Sequence, residues 1–203
     1  MPVLHPRFVT VSLGNPPPGD QTYHSAGHVA LSAVQELLGS AQPDFTVVRL
    51  GKKMTQVSIG AKYILLKSPT LMNQTGPWLA KAYREILAQE DVQPSELGVV
   101  VVHDDLEHGL GAVNTFSWNK SPQGHNGVKS VQASLPRRST EAPWVRVAVG
   151  IGRPVGRDVD TVSAYVMKSF STRERKIMDG TAEGVLDALE ELEEEWPARL
   201  AAK

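Results

Sequence analysis

Leu97-Gly98-Val99-Val100-Val101-Val102, followed directly by His103-Asp104-Asp105, is the stretch on which the fold turns. An apolar run rich in branched residues, with no polar alternation, fits a strand buried on both faces, as in the centre of a parallel sheet covered by helices. Three polar side chains then stand where that strand must leave the sheet. In open α/β sheets ligands bind outside the carboxyl ends of the strands, because loops converge there and helix N-termini point free N–H groups outward. One stretch therefore predicts both a fold class and the place to look for its chemistry.

Upstream, residues 7–13 alternate like a half-buried strand and run into Gly14-Asn15-Pro16-Pro17-Pro18-Gly19, whose prolines and glycines end regular structure. From Ser25, the residues Ala26, Val29, Ala30, Ala33, Val34, Leu37 and Leu38 recur at helical steps, with Gly39 as the stop. Residues 45–50, 56–59 and 63–66 read as three short strands in a meander. Residues 70–89 have helical spacing, bent or split near Gly76-Pro77. Downstream come a strand over 112–116, a loop to Gly124, a helix over 126–135 and a strand over 144–150. Ser171 precedes Glu174 by three, a capping box, and opens one long helix whose buried stripe is Ile177, Val185, Ala188, Leu189, Leu192 and Trp196. The acidic residues 190–195 form its solvated face. Strands and helices alternate, which predicts a single α/β domain over residues 1–203: a twisted mixed β-sheet flanked by helices.

Composition narrows the chemistry. With 21 basic and 22 acidic residues, the chain carries no overall basic charge, so a polyanionic substrate would have to meet a local patch. No cysteine means no disulfide, no thiol nucleophile and no thiolate metal site. The longest apolar run falls far short of the ~20 residues that span a bilayer. Residues 1–8 hold two prolines and one arginine before a strand, which leaves no room for a secretory or transit peptide. A soluble, cytoplasmic protein is expected, with association with mitochondria left open.

Polar residues gather at the loop end of the sheet. Asn15 and His24 follow the first strand, Met72-Asn73 follows the fourth, His103-Asp104 follows the central one, and His125-Asn126 opens a helix. Histidine as a base and amides as carbonyl-gripping donors would suit one cleft. Each feature alone is weak: a loop asparagine more often serves a turn or a helix cap, and a single histidine is more often packed than catalytic. His5, His28 and His108 read as surface or packing residues. His103-Asp104-Asp105 lacks a third ligand at a recognisable spacing, so no metal site is expected.

Taken in order, Leu13-Gly14-Asn15-Pro16, His24-Ser25-Ala26-Gly27, Lys67-Ser68-Pro69-Thr70-Leu71-Met72-Asn73-Gln74-Thr75-Gly76, Val102-His103-Asp104-Asp105-Leu106, Gly124-His125-Asn126-Gly127 and Gly150-Ile151-Gly152-Arg153-Pro154 resemble the bacterial-type peptidyl-tRNA hydrolase family. Ser25-Ala26-Gly27-His28, and Trp144 before Arg146, look more like its fungal and other eukaryotic members. The resemblance implies the peptidyl-tRNA hydrolase, phosphorylase-like fold and a metal-independent, cofactor-free esterase. Its substrate would be peptidyl-tRNA, cut between the peptide and the 3′ end of the tRNA, with no membrane partner and a monomeric protein.

On matching positions, the resemblance implies that His24 is the general base that activates water and that Asp104 orients its imidazole. Asn15, Asn73 and Asn126 would position the carbonyl, the water and the terminal ribose, one of them stabilising the oxyanion. Met72 and His125 would shape the cleft. Departures are visible: the loop between Asn15 and His24 is a residue short, Ser25 replaces the usual asparagine, and Asn114, Phe116 and Ala148 stand where the tRNA 5′-phosphate would be bound. Lys120, Lys129, Arg137, Arg138 and Arg146 offer substitute charge, Trp118 a stacking face, and residues 117–123 a mobile gate over the cleft. Two other readings stay open: a non-catalytic RNA-binding protein of the same fold, and an unrelated α/β protein with accidental matches.

Overall fold

In the computed structural model, which describes residues 7–136 and 142–201, the apolar run lies in strand β5 (Leu97–Asp105), buried at every position. Strand β1 (Arg7–Ser12) pairs with it in parallel on one side and β7 (Trp144–Gly150) on the other. Strand β4 (Tyr63–Lys67) extends the parallel set beside β1. Strands β2 (Thr46–Leu50) and β3 (Lys53–Ile59) continue as an antiparallel meander, and β6 (Val113–Ser117) closes the far edge antiparallel to β7. The order across the seven strands is β2-β3-β4-β1-β5-β7-β6.

Period-two alternation splits the branched residues between two cores. Val100 and Val102 join Phe8, Leu189 and Trp196 on the face covered by α1 (Ala26–Leu38), α5 (Thr172–Asp179) and α6 (Thr181–Ala201). Val99 and Val101 join Val9, Val11, Leu79 and Ile86 on the face covered by α2 (Thr75–Glu90) and α3 (Asn126–Ser134). Each fully buried valine or leucine contributes about 1.5–3 kcal/mol of transfer free energy, so this doubly covered strand anchors both layers.

Register sets the site. Ser12 pairs with Lys67 of β4 and with Val102 of β5. The residues that follow these three strands therefore emerge side by side. Helix α1 must then start close against the strand ends: a Cβ on Gly27 would lie 2.6 Å from the Val102 carbonyl oxygen and 2.7 Å from that of Leu13. Only glycine permits that approach, and it brings the turn before α1 up to the end of β5.

One expectation is corrected, and one helix is new. The long C-terminal helix is two helices, α5 and α6, parted at Gly180, where the Thr181 hydroxyl donates to the Met178 carbonyl. In consequence Ile177 is exposed, while Val185, Ala188, Leu189, Leu192 and Trp196 are buried as expected. The expected split near Gly76-Pro77 is present: residues 72–74 form a separate 3-10 turn before α2, which places Pro77 in the first turn of that helix, where proline is tolerated. A short helix missed in the sequence, α4 (Val159–Val166), is capped by Asp158 accepting the Thr161 N–H. Among the described residues, no helix is long and apolar enough to cross a membrane.

Candidate active site

His24 sits in a 3-10 turn (Tyr23–Ser25) that leads into α1. Asp104 is the penultimate residue of β5, and His125 is the N-cap of α3. Three separate elements thus deliver one cluster. His24 Nδ1 and His125 Nε2 each lie 2.9 Å from the same carboxylate oxygen, Asp104 Oδ1. His125 Nδ1 accepts the backbone N–H groups of Gly127 and Val128, so its proton resides on Nε2 and is donated to Asp104. His24 likewise donates from Nδ1, which leaves Nε2 as the nitrogen available to a substrate. The helix cap fixes one tautomer and the carboxylate fixes the other.

Electrostatics follow from burial and contact. The Asp104 side chain is 3% exposed. Burial alone would raise its pKa, but the two imidazoles hold it well below the usual carboxylate range. For His24, burial works against charging; the Asp104 carboxylate outweighs it and sets the pKa above the usual imidazole value. His103 behaves differently. Its Nδ1 donates to the Asp104 carbonyl oxygen at 2.7 Å, and burial together with the nearby His125 pushes its pKa down to about 3. The adjacent histidine is therefore neutral and structural.

The cluster opens on a cleft of about 440 Å³ lined by His24, Asp104, His125, Asn126, Arg146, Phe116 and the Val159, Val162 and Val166 face of α4. Asn15 is buried beside it: its backbone N–H donates to Ser25 Oγ at 3.0 Å, and its amide reaches Met167 Sδ, a cleft residue, at 3.8 Å. Ser25 Oγ also donates to the Gly19 carbonyl at 2.6 Å, tying the Asn15 loop to the His24 turn. Met72 is buried, and a Cβ on Gly127 would touch its sulfur at 2.8 Å and His125 Cε1 at 3.1 Å, so Met72 and His125 pack at the start of α3. Asn73 and Asn126 are exposed; Asn73 is drawn to α3 by the Ser130 hydroxyl, which donates to its carbonyl at 2.9 Å.

The basic residues are placed less uniformly. Lys120 and Lys129 are exposed, with Lys120 Nζ 3.2 Å above the Phe116 ring. Arg146 is 2% exposed, and its guanidinium donates to the Lys120 carbonyl at 2.7 Å. Gln132 donates to the Trp118 carbonyl at 2.6 Å, and Trp118 packs edge-on against Trp144 in the core. Carbonyls of Trp118, Lys120 and Ser121 thus accept from Arg146 and Gln132, and Trp118, being buried, offers no exposed stacking face. Arg137 and Arg138 lie outside the described residues. Sequence reading missed the α4 wall and Arg157, which lines the same cleft. The Asp158 cap, followed by valines at 159, 162 and 166, was the available signal.

The donor atoms of His24, Asp104 and His125 lie within 4.8 Å of one another, close enough to share a cation. A cation on Asp104 Oδ1 would have to displace both imidazole N–H groups, one of them fixed by the helix cap. The hydrogen-bonded cluster and a metal centre are therefore alternative states of the same atoms.

An α/β sheet that holds a carboxylate-oriented imidazole beside amide donors has the parts of a hydrolase that activates water. The family model for peptidyl-tRNA hydrolase matches residues 9–202. Curated peptidyl-tRNA hydrolases include one from Geotalea daltonii, 36% identical over 92% of this chain and 90% of the relative, and one from Rhodococcus opacus, 33% identical over 90% and 89%. The chain belongs to the peptidyl-tRNA hydrolase family. A crystal structure of peptidyl-tRNA hydrolase from Acinetobacter baumannii shares the fold with a TM-score of 0.69, at 21% identity over 98% of this chain and 94% of that one.

Proposed function

We propose that this protein hydrolyses the ester joining a peptide, or another N-blocked aminoacyl group, to the 3′ end of tRNA, with His24 as the general base. The carrying observation is the shared acceptor: His24 Nδ1 and His125 Nε2 both lie 2.9 Å from Asp104 Oδ1, so in the neutral His24 ring the proton sits on Nδ1 and Nε2 carries the lone pair. That nitrogen takes a proton from water as the water oxygen bonds to the ester carbonyl carbon. Asp104 supports the positive charge that builds on the ring. Asn15, Asn73 and Asn126 supply neutral donors for the oxyanion, the water and the terminal ribose; loss of one oxyanion donor typically costs about 100- to 1,000-fold. As the tetrahedral intermediate collapses, the ribose oxygen leaves with the proton held on His24, giving a free peptide carboxylate and a tRNA 3′ hydroxyl.

Neither an organic cofactor nor a metal is needed for these steps. Met72 and His125 shape the peptide end of the cleft, and exposed Lys120 and Lys129 offer charge to the tRNA backbone. Arg146 acts indirectly by holding the segment that carries Lys120. The protein works as a monomer in the cytoplasm on this reading; its exposed large apolar side chains are scattered over several elements. Hydrolysis of an acyl-tRNA in oxygen-18 water tests the chemistry. Label entering the released carboxylate, with none in the tRNA hydroxyl, is expected; label in the tRNA would refute attack at the acyl carbon.

A further inference from the structure

We propose that Tyr23 and Glu174 are positioning residues: their hydrogen bond ties the turn that carries His24 to the first turn of α5 and holds the base against Asp104. The proposal rests on His24 acting as that base. The turn Tyr23–Ser25 is a single 3-10 turn with no capping side chain, an element with little stability of its own. Ser25 ties one side of it to the Asn15 loop, and the segment before α5 holds the other. Tyr23 N–H donates to the Lys168 carbonyl at 2.9 Å, Thr22 bridges Ser169, and Phe170 N–H donates to Gln21. The Tyr23 ring packs at 4.8 Å from Phe170 and 5.0 Å from Tyr165.

The one side-chain bond in this strap made by the residue next to His24 is Tyr23 Oη to Glu174 Oε1, at 2.7 Å. Glu174 is held for the purpose by its second oxygen, Oε2, which accepts the Ser171 N–H at 2.8 Å and the Ser171 hydroxyl at 2.7 Å in the α5 capping box. The bond to Tyr23, then those to Ser171, keep the Glu174 carboxyl below the usual range, so it is an ionised acceptor at neutral pH. A glutamine at this position has one acceptor oxygen; with that oxygen on the cap, its amide can only donate to Tyr23 Oη, which replaces the charge-assisted clamp by a weaker neutral bond.

Tyr23→Phe is the discriminating variant, because it keeps the ring packing and the α5 cap and removes only the clamp. The expected result is a kcat about 10-fold lower with KM unchanged, since small displacements of a catalytic group are costly. A second readout is the NMR titration of the His24 ring, which is faced by Asp104 and His125 and is assigned by its loss in His24→Ala. Loosening from Asp104 should move that titration to lower pH. Glu174→Gln, which weakens the clamp without removing it, should shift both readouts in the same direction by a smaller amount, and the double variant should be no worse than Tyr23→Phe alone. Ser171→Ala should lower Tm and, because the Ser171 N–H still holds Glu174 Oε2, should lower kcat less than Tyr23→Phe does. If folded Tyr23→Phe keeps the wild-type kcat and His24 titration, the bond is merely structural and the proposal falls, even with a lower Tm. If His24→Ala itself retains turnover, the base assignment fails first and takes the proposal with it.

Discussion

An Asp104→Asn substitution separates two jobs that one buried oxygen performs together. Asp104 Oδ1 accepts both imidazole N–H groups. His125 Nδ1 is committed to the Gly127 and Val128 amides, so His125 can donate only through Nε2. The asparagine carbonyl oxygen must therefore occupy the Oδ1 place, and His24 keeps its tautomer. Only charge is lost. Opposite unit charges about 4 Å apart attract by about 4 kcal/mol at an effective dielectric constant of about 20. With about half of that charge developed on His24 in the transition state, the barrier rises by about 2 kcal/mol, or about 30-fold in rate. The assay is release of a labelled acyl group from N-blocked aminoacyl-tRNA at saturating substrate. Without the carboxylate only burial acts on His24, so its pKa falls and the rising limb of the pH–rate profile moves to lower pH. A loss near 10,000-fold, the scale of a wrong tautomer, would refute the argument that the helix cap enforces the correct one. So would a loss under about three-fold.

Other outcomes follow from the same structure. In the wild type, kcat/KM should rise with pH and level off above the ordinary imidazole midpoint, because Asp104 raises the pKa of His24 and the neutral ring is the active form; a limb at or below that midpoint would contradict this. Burial holds His28 and His103 at pKa values of about 3. The unfolded chain takes up those protons first, so stability should fall as pH drops from about 7.5 to 5.5, by about 1.4 kcal/mol for each histidine. The raised His24 offsets part of this, and urea midpoints that stay flat or rise over that window would exclude it. Gly27→Ala forces a Cβ onto two backbone carbonyls and should destabilise by at least about 1–3 kcal/mol, read as a lower Tm; an unchanged Tm would show that α1 can move away. If Lys120 and Lys129 meet the tRNA backbone, kcat/KM should fall as salt rises, with a log–log slope of about −0.7 to −0.9 per phosphate. A flat response would assign recognition to the peptide and the terminal nucleoside.

The central strand was legible because its apolar run is set by burial on both faces, and the ends of β1 and β4, Ser12 and Lys67, come into register with each other and with Val102, just before His103-Asp104-Asp105 closes β5. That His24 and Asp104 would lie at the same end of the sheet was legible for that reason, and their pairing shows that they meet there. His125 was expected only to shape the cleft. Its bond to Asp104 depends on where α3 begins, a tertiary fact that a Gly-His-Asn-Gly string does not carry. Trp118 was misread because its polar neighbours suggest a solvated loop, whereas it packs against Trp144 in the core. The break between α5 and α6 escaped notice because the apolar period continues across Gly180 almost in phase. Helix α4 escaped because its valines face the cleft and none of its residues is buried, so it leaves no core signature.

The most direct measurement is release of a labelled acyl group by the purified protein from an N-blocked aminoacyl-tRNA, beside its unblocked counterpart and a His24→Ala control that circular dichroism shows to be folded. The account predicts release from the blocked substrate only, lost in the control. Binding without release by the wild type, or undiminished release by His24→Ala, would contradict it.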